Sequence, residues 1–567
     1  MARKPRSEPS LPHGMASLAP TRWDIGAALL VLALLAIMAQ AGRGTFAPLE
    51  SITQVPLSLD PWRLPYYAAR TALRMMVALG CSTLFTFLYA PLAAKYRGAG
   101  ALLVPLLDIL QSVPVLGFIS ITITFFLDLI PGRVLGAELA AIFAIFTSQA
   151  WNMAFSLYQS LHTVPAELVE ASLSFRLSGW MRFWRLEVPF ALPSLVWNMM
   201  VSVAGGWFFV VASEAVTVGH TRFALPGIGS YIATAIAVND GRALIWAILA
   251  MLVLILLIDQ LLFRPLLAWS ERFRIDAEPG EPGYSSFVLT LIRRSRIGTF
   301  LAPLAELWDR IGRHPAAAIV THKETASPRM QAVPVLLLLG AGLVLGHYLI
   351  TLPRGEILAT LVDGLITLAR VFALVALASV IWVPVGVWIG LRPRFGRIFQ
   401  PLVQLLAAFP ANLLYPLLIV PILVHRLDAN IWLSPLMILG AQWYLLFNII
   451  VGTQALPHEL RQIATNLHVT GWLWWRRVGL PAIFPYFLTG AITASGGAWN
   501  AAIVAEYVSW GDRVLVARGL GATIAEAART GDSTRLALGI GVMCLLVIVV
   551  NRLVWRPLYA YAERKFR

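Results

Sequence analysis

The sequence predicts an all-α polytopic membrane protein made of two tandem six-helix domains, about 12 transmembrane helices in all. Three observations carry this prediction. Hydrophobic residues make up 58% of the 567 and charged residues only 13%, half the ~25% usual in a soluble domain, and mean hydropathy is +0.74. Apolar stretches of ~18–25 residues recur along the chain between short basic loops, as bilayer-spanning helices require. The second half of the chain repeats the first. So few charges cannot cover a soluble surface, and so much apolar content excludes disorder.

The repeat is visible residue by residue. From Pro165 to Arg272 the chain matches itself at a constant offset of 292. Matched pairs include Pro165/Pro457, Glu167/Glu459, Gly179/Gly471, Trp180/Trp472, Pro189/Pro481, Pro193/Pro485, Glu214/Glu506, Gly229/Gly521 and Asp240/Asp532. Upstream the offset is 296, with Thr71/Thr367, Arg74/Arg370, Pro105/Pro401 and Pro114/Pro410. One four-residue length difference between Pro114 and Pro165 reconciles the two. Gly, Pro, Trp and charged residues do not coincide this often by chance.

Each copy reads as six spans. The first copy's fall near 24–41, 65–90, 101–127, 136–160, 186–213 and 243–264. Those of the second fall near 332–351, 360–390, 399–424, 432–454, 480–506 and 535–555. Six is an even number, so the copies are parallel repeats rather than inverted ones. The domains are then a basic tail at 1–22, a first transmembrane domain at 23–274, a linker at 275–331 and a second transmembrane domain at 332–567. The first apolar run ends in Ala39-Gln40-Ala41, which could be a cleavage site. The similar run Val333–Ile350 stands where no signal peptide can be, so the first run reads as a retained helix. In the linker, Phe300, Leu301, Leu304, Leu307, Trp308 and Ile311 are spaced for one helical face lying on the inner leaflet.

The net charge of +15 has its cause in short loops that collect Arg and Lys on the cytoplasmic side. Lys95/Arg97, Arg176/Arg182/Arg185, Arg392/Arg394/Arg397 and Arg476/Arg477 mark those loops and put both termini in the cytoplasm. The arginines are scattered rather than gathered on one domain, which argues against a nucleic-acid partner; the lipid bilayer is the surrounding partner. Cys81 and Cys544 lie in apolar runs and imply neither a disulfide framework nor a metal site. None of the four lysines follows a glycine-rich phosphate-binding loop, and no nucleophile has a credible base. No catalytic residue is expected.

The loop between spans four and five is the richest in features. It reads Pro165-Ala-Glu167-Leu-Val-Glu170-Ala171-Ser172, then Arg176, Gly179-Trp180, and Leu186-Glu187-Val188-Pro189 with Pro193. The second copy has Pro457-His-Glu459-Leu-Arg-Gln462-Ile463-Ala464, then His468, Gly471-Trp472, and Leu480-Pro481 with Pro485. A proline opens a helix well because its missing N–H is not needed there. A short helix on the cytoplasmic face would be a docking knob, and the later proline pair would restrict entry into span five as a hinge.

This pattern resembles the EAA loop of binding-protein-dependent ABC importer permeases with MetI-like transmembrane domains. It is most similar to the nitrate/sulfonate/taurine branch in a duplicated form. Thr71-Ala-Leu-Arg74, Thr367-Leu-Ala-Arg370, the segments Pro105–Pro114 and Pro401–Pro410, and Val211-Ala-Ser-Glu214 with Val504-Ala-Glu506 support it. The resemblance covers both halves, leaving out the first 22 residues and the linker. It implies that the loop helix fits a groove in an ATPase subunit, so that two loops engage two ATP-binding cassette subunits that carry ATP-Mg. It also implies an extracytoplasmic binding protein and an inner-membrane location, with no cofactor in this chain. Nitrate, a sulfonate or taurine is the implied solute; thiamine-type and ferric-iron importers also use fused permeases. Two departures stand out. The family glycine six residues after the motif's Glu is Arg176 here and His468 in the second copy, where Gln462-Ile463 also replaces Glu170-Ala171.

Charges inside a membrane are costly and therefore candidates for function. Arg74, Arg370, Glu214 and Glu506 fall toward the outer ends of spans two and five. They are either pathway groups, with arginine matching an oxyanion, or structural ion pairs. Asp240 and Asp532, just before span six, read as helix N-caps. An ion-coupled secondary transporter is the rival class. It usually buries charge at the midplane, whereas here the repeated charges sit at the outer ends.

Overall fold

The computed structural model describes residues 22–53, 57–110, 115–218, 221–274, 286–295, 340, 353–510 and 513–566. Among them, eight helices are long and apolar enough to cross a bilayer, and ten if each of two bent pairs counts as one span. The expected span at 332–351, the linker helix at 300–311 and the basic tail lie outside the described residues, save Arg22 and Gly340. A linker helix is described further upstream, at Phe287–Arg294. It is tied to span one by Arg294, which sits 5.0 Å from the Trp23 ring.

Span two of each copy is one long helix, Leu64–Lys95 and Arg354–Gly390. Span three is broken in both copies. In the first it runs as Arg97–Leu110 and then Ile119–Leu129; in the second Pro393–Ala408 meets Tyr415–Val424 through a short turn, with a bend of 82°. This corrects the expectation of continuous helices at 101–127 and 399–424. The cause is visible in the second copy: Pro410 cannot donate to the ladder and biases Phe409 away from the α region. Span four is one helix in the first copy, Val134–His162. In the second it is bent by 43° between residues 438 and 442.

Span five begins earlier than expected. Helix runs without interruption from Gly179 to Glu214 and from Gly471 to Ala505. Pro189 and Pro193 therefore sit inside a helix instead of at its start, and so do Pro481 and Pro485. A turn of π-helix precedes each pair, at Phe183–Glu187 and Trp475–Gly479. Span six repeats the device at Asp259–Phe263 and Asn551–Trp555, ahead of Pro265 and Pro557. A proline ring collides with the carbonyl four residues back, and one wide turn moves that carbonyl away while keeping the axis continuous. All four wide turns end two residues before a proline.

Two short antiparallel hairpins were not anticipated in an all-α reading. They pair Ala215–Val218 with Thr221–Ala224, and Tyr507–Trp510 with Arg513–Val516. Each directly follows the span-five glutamate. Asp240 and Asp532 cap span six as expected, each accepting two backbone N–H bonds at 2.9–3.1 Å.

The copies meet through spans three and five. Asn500 Oδ1 accepts the Val115 N–H at 2.9 Å, and Asn412 Nδ2 donates to the Phe208 carbonyl at 3.4 Å. Phe208 and Asn500 are repeat-equivalent, so each span-three break docks at one position of the other copy's span five. Trp197 stacks on Phe447 across the same seam, ring centres 5.7 Å apart.

Candidate functional site

The motif loops fold into matched helices, Ala166–Ser174 and His458–Asn466, with Pro165 and Pro457 at their N-caps. Ser172 and Ala464, which are repeat-equivalent, face the protein and are buried. Glu167, Glu170, Ala171 and Arg176 are exposed, as are Glu459, Gln462 and His468. Ser172 and Ala464 are thus the motif residues turned inward. The outer face carries an apolar ridge of Leu168, Ala171 and Phe175, repeated as Leu460, Ile463 and Leu467. Phe175 is 78% exposed and Leu467 70%. This i, i+3, i+7 spacing places the three on one helical stripe. Exposed Leu, Ile and Phe next to a carboxylate at each helix start make a surface suited to a protein groove.

Both helices end in the same motif. The Leu177 N–H bonds the Ser172 carbonyl at 3.1 Å, and the Val469 N–H bonds that of Ala464 at 2.8 Å. Between them Arg176 has φ 52° and His468 φ 51°. That is the left-handed closing position of a Schellman motif, which favours glycine. A side chain at either position therefore costs ~1–2 kcal/mol. Arg176→Gly and His468→Gly are expected each to raise the thermal midpoint in detergent, while alanine at either position leaves it unchanged or lower. Gly179 and Gly471 start the next turn of helix, with Gly471 itself at φ 57°.

At the same membrane boundary the copies differ. In the first, Glu187 receives Lys95 Nζ at 2.7 Å and Arg182 Nε at 3.1 Å, all three side chains about nine-tenths buried. Their repeat equivalents are Leu391, Gly479 and Trp474. There the Trp474 ring lies directly over Gly479, in one apolar cluster with Leu391.

The opposite boundary holds a repeated polar knot. Arg74 grips Glu138 with Nε at 2.5 Å and Nη2 at 2.8 Å, and its Nη1 reaches Glu214 at 2.6 Å. Arg70 also pairs with Glu138 and reaches the Ala41 carbonyl in span one. The Thr71 hydroxyl donates to Glu214 at 2.7 Å and accepts the Ile228 N–H at 3.0 Å; the Gly229 N–H donates to Glu214 at 2.6 Å. In the second copy Thr367, Arg370 and Gly521 hold Glu506 at 2.9, 2.9 and 2.8 Å. Arg74 and Arg370 each stand about 20 residues, roughly 30 Å, from the other end of span two, the full thickness of a bilayer core. Asp108, a lone carboxylate within span three opposite Gln404 in the repeat, has its side chain outside the described residues.

Gly229 and Gly521 are required by closeness. A methyl on either would overlap the Val211 or Ala502 carbonyl. Gly229→Ala and Gly521→Ala are expected to cost ~1–3 kcal/mol, read as a lower thermal midpoint and yield. Gly541→Ala, with open space around it, is expected to be neutral or slightly stabilising.

Sequence reasoning missed Arg70, Glu138 and the Lys95–Glu187–Arg182 cluster. Glu138 could have been found as the sole carboxylate in span four; Glu187 was in view but had no repeat partner to draw notice.

These features define a two-copy α-helical membrane protein with a matched pair of exposed loop helices. A family model for the binding-protein-dependent transport system inner membrane component matches residues 63–264 and again residues 382–567. The chain belongs to that family and carries its MetI-like domain twice. It is similar to the bicarbonate transport system permease protein CmpB of Synechococcus elongatus, 31% identical over 146 residues, 26% of this chain and 51% of the relative. The nitrate import permease protein NrtB of Leptolyngbya laminosa is 28% identical over 189 residues, 33% of this chain and 64% of the relative. The glycine betaine/carnitine transport permease protein GbuB of Listeria monocytogenes is 24% identical over 205 residues, 35% and 66%. The match thus spans about half the length of the first of these relatives.

Proposed function

We propose that this chain is the transmembrane permease component of an ATP-driven importer for a small oxyanion. The two six-helix units, 23–274 and 332–567, form the path between them, and the 275–331 linker joins them. The observation that carries the reading is the pair of loop helices with matching apolar ridges on the same side of the membrane. Each ridge suits the groove of one ATP-binding cassette subunit, so two subunits, holding ATP-Mg, engage one chain. ATP hydrolysis belongs to them. An extracytoplasmic binding protein delivers the solute at the Arg74/Arg370 boundary. The chain sits in the inner membrane with both termini and both loop helices in the cytoplasm. Oxyanion transport is supported by the nitrate and bicarbonate permeases among the relatives, and the betaine/carnitine relative keeps other solutes open.

The test is isolation of the chain from detergent-solubilised membranes. Recovery of two ATPase subunits per chain, lost when residues 166–174 and 458–466 are both replaced, supports the reading. A chain recovered alone that moves solute in ATP-free liposomes under an ion gradient would make it a secondary transporter instead.

A further inference from the structure

The two polar knots are built alike, yet only the first is closed. In the first copy two guanidiniums, Arg70 and Arg74, meet two carboxylates, Glu138 and Glu214, and all four side chains are almost fully buried. The second copy lacks two of these groups. Arg70 becomes Ile366 at the 296 offset and Glu138 becomes Asn430 at the 292 offset. Arg370 therefore keeps one carboxylate, Glu506, through Nη1. Its Nη2 reaches only the neutral Asn430 Oδ1, at 3.3 Å. Its Nε has no partner among the described residues, and the side chain is 14% exposed.

A second cation opens at the same mouth. The Arg518 carbonyl accepts Arg370 Nη1 at 2.6 Å, and the Arg518 N–H donates to Asn430 Oδ1 at 2.8 Å. The Arg518 guanidinium is 66% exposed and meets Asp363 through Nε alone, at 3.1 Å. Among the described residues Arg518 Nη1 and Nη2 and Arg370 Nε have no partner, and Asn430, itself donating to Asp428 at 3.2 Å, ties the Arg370 fork to the Arg518 backbone.

We propose that Arg370, Arg518 and Asn430 form a binding site for a small soluble oxyanion at the boundary opposite the loop helices. A planar fork of N–H donors matches an oxyanion bidentately, and Asn430 supplies order without the charge that closes the first knot. The site is one-sided: solute meets the second copy, and the first copy's knot serves as its structural counterpart. This rests on the oxyanion reading of the proposed function. A lipid phosphate shares the chemistry, and the experiment separates the two sources.

The full chain, purified with its ATPase in nonionic detergent, is titrated with sodium nitrate or bicarbonate against chloride at constant ionic strength. The thermal midpoint is expected to rise saturably. Arg518→Gln, an exposed change that leaves folding intact, and Asn430→Glu, which restores the missing carboxylate, are each expected to weaken the effect at least tenfold. Arg394→Gln, on the other boundary, keeps it. An unchanged titration in both Arg518→Gln and Asn430→Glu overturns the site. So does stabilisation through these residues by phosphatidylglycerol with none from either inorganic anion. If the site falls while the ATPase still co-purifies, the importer reading stands; if the ATPase is absent but the anion effect persists, that reading alone fails.

Discussion

Arg74→Ala is expected to leave little folded protein. Arg74 lies between Glu138 and Glu214 with its side chain only 1% exposed. Without it Glu214 keeps Thr71 and Gly229 as donors but has no countercharge, and Glu138 keeps only Arg70. Removing one partner of a buried ion pair costs ~3–5 kcal/mol because the other charge stays in low dielectric. That is a large share of the stability of a domain. Three spans also lose their common tie, since the knot joins spans two, four and five with the segment at 227–230. Lysine at position 74 is expected to recover only part of the loss: it supplies the charge but not the fork that holds Glu138 bidentately. Arg370→Ala is expected to cost clearly less, because Arg370 is partly exposed and pairs with one carboxylate. The measurement is the monodisperse fraction and thermal midpoint in detergent for Arg74→Ala, Arg74→Lys and Arg370→Ala. Equal losses at 74 and 370 would contradict the closed and open knots.

The second large effect concerns Glu187. Its removal leaves Lys95 and Arg182 side by side, both about nine-tenths buried, with repulsion added to desolvation. Glu187→Ala is expected to destabilise the first copy by ~3–5 kcal/mol. The chain itself supplies the contrasting variant. Replacing all three groups with their repeat equivalents, Lys95→Leu, Arg182→Trp and Glu187→Gly, imports the apolar packing found around Trp474 and Gly479. Buried ion clusters exchanged for well-packed apolar groups are often neutral, or gain ~1–4 kcal/mol. The triple variant is therefore expected to unfold no lower than the natural chain, although one of its component changes is damaging. Thermal unfolding of Glu187→Ala beside the triple variant decides it. A triple variant as unstable as Glu187→Ala would mean that the two copies surround this position differently.

The resemblance to the family was legible because its signals are local and doubled. Apolar length fixes spans, since a bilayer leaves no backbone partner but the helix itself. A constant offset of 292 needs no structure to be seen. The loop helices and the Asp240 and Asp532 caps follow from short-range chemistry, while the repeat singled out Arg74, Arg370, Glu214 and Glu506 without saying which groups they meet.

Other features depend on what stands nearby in space. Pro189 looks like a helix start in sequence, yet a single wide turn keeps it inside the helix; that choice depends on packing on both sides. The breaks in span three become interface points only because Phe208 and Asn500 of the opposite copies face them. Ser172 and Ala464 face inward, and the pattern of small residues alone does not say which face of the loop helix that is. Above all, the repeat makes Arg74 and Arg370 look equivalent. Only the tertiary structure brings Glu138, 64 residues away from Arg74, onto one and Asn430 onto the other. A buried charge is settled by the groups that surround it, and those come from distant parts of the chain. By itself, then, the sequence determined the architecture and the family. The structure decided which arginine is sealed and which is open.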